Sequence, residues 1–287
     1  YVLLYSSTKW RVKPNLLHTK ESILQNSKLN NAMFFIQGAS TGIGEGLAHA
    51  FARKGASLSL CGRNVENLKK VEEKCVSEGA AKTIQVVADV KNVKDMERMV
   101  DETVAKLGQI DVLINNAGYG CKGGIENGTL EQFDEVFSVN LKAPYYLMQL
   151  CLPHLKKTKV GCVVNLSSCY TNMFVPDAVH YSMTKVGLDH LTKCAAIELG
   201  KYGIRVNNVN PGLVVTEMVK ANWKPDELEA FCKDFLSKTP LENESLSIQE
   251  VADVVIFLTS SAAKSITGTC LPVEKTFTKT QYIGIGV

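Results

Sequence analysis

Tyr181 and Lys185 stand four residues apart in Tyr181-Ser182-Met183-Thr184-Lys185, so a helix through them carries both on one face. A free phenol gives up its proton near pH ~10. An ammonium held beside it favours the phenolate and brings the group toward working pH. Upstream, Ser167-Ser168 closes the apolar run Cys162–Leu166 and offers a hydroxyl able to polarise a carbonyl oxygen. A phenol, an ammonium and a hydroxyl meeting at one point would make a proton-donating site for carbonyl chemistry. The spacing by itself is common in helices that do no chemistry, so the weight falls on what accompanies it.

A second cluster is suited to phosphate. Gln37-Gly38-Ala39-Ser40-Thr41-Gly42-Ile43-Gly44 follows Phe34-Phe35-Ile36 directly and runs into a helical segment over 45–54. Glycines at such a turn let the backbone bend sharply and let a pyrophosphate reach the amides of a helix N-terminus. Gly38, Ser40, Thr41, Gly42, Ile43 and Gly44 are therefore candidate cofactor contacts. The spacing is G-x-x-x-G-x-G rather than G-x-G-x-x-G, and a tight turn needs glycine with or without a ligand; the place between a first strand and a helix favours a nucleotide. The second strand ends in Gly62-Arg63-Asn64, with no acid to accept from a free ribose hydroxyl. Arg63 could pair with a 2′-phosphate, which favours NADP(H) over NAD(H); the other reading is a solvated arginine with Asn64 capping the next helix. Asp89, followed by Val90, could accept from an adenine amine or cap the helix after it. Asn116, Ala117 and Gly118 put small residues at the carboxyl end of a fourth strand, where ligands sit in open α/β sheets.

The elements that must position these residues alternate along the chain. Strands are predicted near 32–37, 57–61, 83–88, 112–115, 162–166, 205–210 and 269–273. Between them Val65, Leu68, Val71 and Cys75, and again Met96, Met99, Thr103 and Leu107, keep the spacing of an apolar helical stripe. Strands apolar on both faces, each followed by a helix, predict a parallel sheet covered on both sides. Right-handed crossovers then make a doubly wound α/β fold of seven strands in one domain. The charge of 32 − 29 = +3 is too slight for a polyanion-binding surface, which excludes nucleic acid as a partner. Hydrophobic and charged fractions of 45% and 21% exclude disordered and fibrous classes. Nine cysteines, an odd number without C-x-x-C or paired histidine spacing, speak against a disulfide framework and against a metal site, and for a reducing, cytoplasmic compartment. No apolar run is long enough to span a membrane. Residues 1–28 carry Lys9, Arg11, Lys13, Lys20 and Lys28 against Glu21 alone. They are expected to be a poorly ordered extension; the alternative is a transit-type segment, which would make the destination mitochondrial.

Taken in order, these motifs make the chain resemble the short-chain dehydrogenase/reductase family over about 29–273, in particular its 3-oxoacyl-acyl-carrier-protein reductase-like and carbonyl reductase-like members. The family's T-G-x-x-x-G-x-G, N-N-A-G and Y-x-x-x-K read here as residues 37–44, Asn115-Asn116-Ala117-Gly118 and Tyr181 to Lys185. Its serine precedes the tyrosine by 13 positions, and 181 − 168 = 13 selects Ser168 over Ser167. Asn140 matches the family's asparagine. Pro211-Gly212-Leu213-Val214-Val215-Thr216 matches its P-G-x-x-x-T, which implies that Pro211, Gly212, Val214 and Thr216 close over the nicotinamide amide. The resemblance implies Tyr181 as general acid in reduction and base in oxidation. It implies Lys185 lowering the pKa of Tyr181 and bonding the nicotinamide ribose, Ser168 holding the substrate oxygen, and Asn140 positioning backbone and water behind Lys185. Hydride transfer belongs to the cofactor. A homodimer or homotetramer built on long helices over 130–152 and 181–199 is implied as well.

Three departures stand out. Gln37 replaces threonine at the head of the glycine turn, where a longer side chain could still bond across. Glu274-Lys275-Thr276 replaces D-G-G after the last strand. The extension over 1–28 has no counterpart. Over 217–241, where the family carries a mobile substrate lid, stand Met218, Val219 and Trp223, and then Leu228, Phe231, Phe235 and Leu236 on one face of a helix. That face either packs on the core or offers an apolar underside to a lipophilic carbonyl compound. The expected activity is hydride transfer between NADP(H) and a lipophilic ketone, 3-oxoacyl compound or secondary alcohol. The alternative is an NAD(H)-dependent dehydrogenase of a sterol, retinoid or sugar alcohol. A nucleotide-binding sensor without chemistry is the reading of another class, and an intact Ser168, Tyr181 and Lys185 set argues against it.

Overall fold

Seven short apolar runs pair into one parallel sheet in the computed structural model, which describes residues 29, 32–158, 160–239, 241 and 244–275. The strands are β1 Met33–Gln37, β2 Ser57–Gly62, β3 Lys82–Val87, β4 Val112–Asn115, β5 Cys162–Leu166, β6 Arg205–Pro211 and β7 Cys270–Val273. Their order across the sheet is β3-β2-β1-β4-β5-β6-β7, every neighbouring pair parallel. Helices α1 Gly42–Ala52, α2 Val65–Ser77 and α3 Val93–Leu107 follow the first three strands. Next come α4 Leu130–Phe137 and α5 Ala143–Leu155, then α6 Val179–Gly200, α7 Glu217–Lys220, α8 Pro225–Ser237 and α9 Ile248–Thr259.

Alternation along each strand divides the core in two, because successive side chains point to opposite faces. Phe34, Ile36, Leu58, Ile114 and Val164 meet Leu47 and Phe51 of α1 and Val251 and Val255 of α9. Met33, Phe35, Leu113, Val163 and Val206 meet Met96 and Met99 of α3, Leu147 and Cys151 of α5, and Leu199 of α6. The strands with two buried faces are therefore buried at every position and mostly apolar, as β1 is up to Gln37. Strand order reverses between β1 and β4, and a crevice opens there at the carboxyl ends of the strands.

The predicted strand limits shift by a residue or so. β3 starts at Lys82 and ends at Val87, and β7 starts at Cys270, because hydrogen bonding rather than side-chain polarity sets the ends of edge strands. The helix expected over 130–152 is not continuous: a π turn, Ser138–Lys142, joins α4 to α5. Pro144 lies in the first turn of α5 and has no N–H to offer the Asn140 carbonyl four residues back, so the ladder widens there. The expectation for 1–28 and the turn residue Thr276 lie outside the described residues. Among those described, no helix is long and apolar enough to cross a membrane, and the nine cysteines are free.

Candidate active site

A cleft of about 360 Å³ follows the carboxyl ends of the strands. It is lined by Gly38, Ser40, Thr41, Gly42, Ile43, Arg63, Asp89, Val90, Asn116, Ala117, Gly118, Pro211, Gly212, Val214 and Thr216, and by Ser168, Tyr181 and Lys185. Two predicted site residues stand behind its wall. A Cβ on Gly44 would come within 2.0 Å of the Gly38 carbonyl, so that glycine lets α1 pack on the turn. Asn140 is 1% exposed; its Nδ2 donates to the Tyr119 carbonyl (2.8 Å) and to Thr184 Oγ1 (3.2 Å), and its Oδ1 accepts from the Tyr119 amide (2.8 Å). It thus clamps the loop after β4 to α6.

At the glycine turn Gly38 has φ +76°, and a Cβ there would meet Ala117 Cα at 2.6 Å. Gln37 is fully buried; its Oε1 accepts from the Ala117 amide at 2.5 Å, while its Nε2 has no partner. The longer side chain thus bonds across to the end of β4. Thr41 precedes α1 in an extended conformation and makes no side-chain capping bond, so the first-turn amides of α1 remain as donors at the cleft wall. That is an anion seat. Asn64 caps α2 by accepting from the Asn67 amide at 2.9 Å, and Arg63 is exposed beside it at the cleft edge. Asp89 does not cap α3. Asn92 does so, accepting from the Lys94 and Asp95 amides, and Asp89 instead accepts from the Lys91 amide at 2.9 Å. The turn and its amide donors fit the pyrophosphate of a dinucleotide, with Asp89 and Arg63 along the same cleft.

At the other end of the cleft, α6 carries Tyr181 and Lys185 over the end of β5. Lys185 is 4% exposed and donates to the Leu166 carbonyl at 2.7 Å. Burial lowers its pKa to about 8, with Asp189 opposing. Ser168 favours the ionised form of the Tyr181 phenol, yet burial pushes its pKa up to about 12. The expected lowering of Tyr181 by Lys185 is therefore absent in this geometry. The ammonium is held on a backbone carbonyl, 5.4 Å from the phenol ring centre, and desolvation of the phenolate dominates. Ser168 Oγ also accepts from the Tyr170 amide at 3.2 Å.

Beyond Tyr181 the cleft turns apolar. Trp223 stacks on Phe231 with ring centres 4.6 Å apart, and Phe235 is buried among Cys169, Met173 and Leu213. This segment thus packs on the site through Phe235 and lines the cleft through Trp223, Phe231 and Phe235; Leu228 does not line the cleft. Lys122 lies 3.8 Å over the Trp223 ring and 3.4 Å from Glu227, joining the loop after β4 to α8. Sequence reasoning missed Tyr170, Cys169 and Lys122, which line the cleft from segments without periodicity. Tyr170, two residues after Ser168, sets its ring edge-on to Tyr181 at 5.6 Å. Glu274, in the departed C-terminal turn, lies against Gly212 and is held above the usual carboxylate range by burial.

A family model described as enoyl-(acyl carrier protein) reductase matches residues 38–278. The 7alpha-hydroxysteroid dehydrogenase of Paraclostridium sordellii is 34% identical over 252 residues, covering 86% of this chain and 92% of its own. The 3-oxoacyl-[acyl-carrier-protein] reductase of Staphylococcus aureus is 33% identical, covering 83% of this chain and 95% of its own. Among solved structures, the 3-ketoacyl-(acyl-carrier-protein) reductase from Brucella melitensis, complexed with NADH, superposes with a TM-score of 0.77 at 28% identity. That match covers 86% of this chain and 98% of the other.

Proposed function

This chain belongs to the short-chain dehydrogenase/reductase family and is an NAD(P)-dependent oxidoreductase of alcohols and carbonyls; from that premise we propose that it passes a hydride between NADP(H) and a lipophilic ketone, 3-oxoacyl compound or secondary alcohol, with Tyr181 as general acid and base. The observation that carries the reading is a single cleft with an anion seat at one end and the Ser168, Tyr181 and Lys185 side chains at the other. When bound, the cofactor supplies or takes the hydride. Ser168 and Tyr181 hold the carbonyl oxygen between two hydroxyls, and the Tyr181 proton moves to that oxygen as the carbon is reduced. A phenol held near 12 stays protonated through neutral pH, which suits a donor. The phenolate left behind is costly in a buried place. Asn140 acts at one remove, through the Tyr119 backbone and Thr184.

The apolar wall of Trp223, Phe231 and Phe235 supports a lipophilic substrate, as does similarity to a hydroxysteroid dehydrogenase. NAD(H) is the second reading, favoured by the NADH in the Brucella relative. The deciding experiment follows nicotinamide absorbance with NADPH and NADH against steroid ketones, 3-oxoacyl thioesters and sugar ketones. Reduction of one of the first two with NADPH preferred is the expected result. Turnover of sugar ketones alone, or faster turnover with NADH, overturns the finer reading, and two cofactors bound with no turnover at all would point to a sensor. Exposed Met183, Val186 and Ile197 on α6, with Tyr145 on α5, support assembly into a homodimer or homotetramer.

A further inference from the structure

On α6, Tyr181, Lys185 and Asp189 recur every fourth residue and so share one face. Three consecutive residues at the end of β5 lie against that face, and each meets one member. The Leu166 carbonyl accepts from Lys185 Nζ at 2.7 Å, the Ser167 hydroxyl donates to Asp189 Oδ1 at 2.7 Å, and Ser168 faces the Tyr181 phenol across the cleft wall and favours its ionised form. β6 closes on the same carboxylate: Asn208 Nδ2 donates to Oδ1 at 2.8 Å and Asn210 Nδ2 to Oδ2 at 2.9 Å. Asn210 Nδ2 also donates to Thr171 Oγ1 at 3.1 Å, and that hydroxyl donates to the Ser168 carbonyl at 3.1 Å. Asn210 is followed by Pro211 and Gly212, which line the cleft. An acid on a solvated helix face would not gather three side-chain donors from two strands. Hydrogen bonds to an ionised acceptor are about twice as strong as neutral ones, so this carboxylate is a strong link between α6 and the sheet.

We propose that Asp189 is a positioning residue of the site: its carboxylate fixes α6 against the ends of β5 and β6 so that Ser168, Tyr181 and Lys185 meet at one point, and its charge faces the Lys185 ammonium one helical turn away. The role assumes the Tyr181-dependent chemistry proposed above. The other groups around Lys185 bring no charge. Tyr181 stands on the same helix; Cys169 and Tyr170, after β5, are kept neutral by burial. Asn140 and Thr184 are neutral, as are residues 211–216 from the end of β6 onward. Glu274, after β7, bears on Cys169. Among the described residues Asp189 is the charged group acting on Lys185.

The test is a pH titration of the full chain carrying [ε-¹³C]lysine, read by NMR, with Lys185→Arg to assign the resonance. The Lys185 midpoint is expected at about 8 in the native chain. It should fall by about one pH unit, the order of the effect of removing a nearby opposite charge, in Asp189→Asn and in Asp189→Ser. The serine variant admits water to the three donors left behind, so it tests the charge even if the asparagine variant does not fold. Asp189→Glu should restore the native midpoint, and the pH limb of kcat should move with it. A midpoint that stays put in both neutral variants, with only thermal stability lowered, overturns the inference. Tyr181→Phe separates this from the reading beneath it. If that variant turns over normally the proposed chemistry is wrong, whereas if it is inactive while the Lys185 midpoint ignores Asp189, only the positioning role is wrong.

Discussion

Tyr181→Phe removes one oxygen from a ring that stays packed, and the size of its two effects can be compared. The edge-on contact with Tyr170, 5.6 Å between ring centres, survives the change. What goes is the polar interaction with Ser168, worth at most a hydrogen bond's about 0.5–1.5 kcal/mol of stability. Even that is partly offset, because Ser168 Oγ keeps the Tyr170 amide. Turnover loses the proton donor, a factor of about 10²–10⁴, equivalent to about 3–5 kcal/mol in the barrier. The variant should therefore fold and bind cofactor as the native chain does while kcat collapses. Nicotinamide absorbance at saturating cofactor measures the turnover, cofactor fluorescence the binding, and a thermal melt the fold. A loss of less than about tenfold on a good substrate, below any general-acid contribution, would refute the assignment of Tyr181 as donor.

Lys185→Met carries the opposite signs for stability and activity. Burial lowers the Lys185 pKa from 10.5 to about 8, so between those values the unfolded chain holds the extra proton and stability rises with pH; below about 8 the cost of the buried charge is present in full. The methionine variant should melt higher than the native chain at pH 7 and lose that advantage by pH 10.5, while reduction and cofactor binding both fall; a lower melting temperature at pH 7 would contradict the sign. Arg63→Ala should weaken NADP(H) binding by about 1.5–3 kcal/mol, the range for hydrogen bonds to charged groups, and leave NAD(H) unchanged, with equal loss of both counting against a 2′-phosphate contact. Gly62→Asp should turn preference toward NAD(H), although its Cβ comes to 3.2 Å from Ser40 Oγ, so some affinity for both cofactors should go with it. Sedimentation at micromolar concentration should show a dimer or tetramer, and a monomer would refute assembly through α5 and α6.

The sheet was legible because parallel strands buried on both faces cannot hide their composition. Phe34-Phe35-Ile36 sends Phe34 and Ile36 to one core and Phe35 to the other, so every position had to be apolar. Strand ends were less legible, since at edge strands such as β3 the ladder continues past the apolar residues. The π turn was not legible at all. The apolar period runs through Ser138–Lys142 without a break, and the cue was Pro144, whose missing N–H matters only once a helix is known to lie on both sides of it. Motif residues fared in the same way. Spacing singled out Gly44 and Asn140, but only packing distinguishes a side that touches the cleft from one that braces its wall.

The residues around Asp189 show why a site can be written in the sequence and still not be readable there. Asn115, Asn165 and Asn208 look like unrelated polar interruptions in three strands, each costly to bury unless hydrogen-bonded. Register places them side by side, Asn115 against Asn165 and Asn165 against Asn208. Asn115 Nδ2 donates to Asn165 Oδ1 at 2.8 Å, Asn165 Nδ2 donates to Thr192 Oγ1 at 2.8 Å, and the Thr192 hydroxyl donates to Asn208 Oδ1. Asn208 then turns its Nδ2 to Asp189. A polar row crosses three strands and ends on the carboxylate one turn from Lys185. Strand order and register belong to the sheet as a whole, so no local pattern around any one of these amides announces the row. The same holds for Asp189: on a helix of 22 residues an acid reads as solvent-facing until β5 and β6 are laid beneath it.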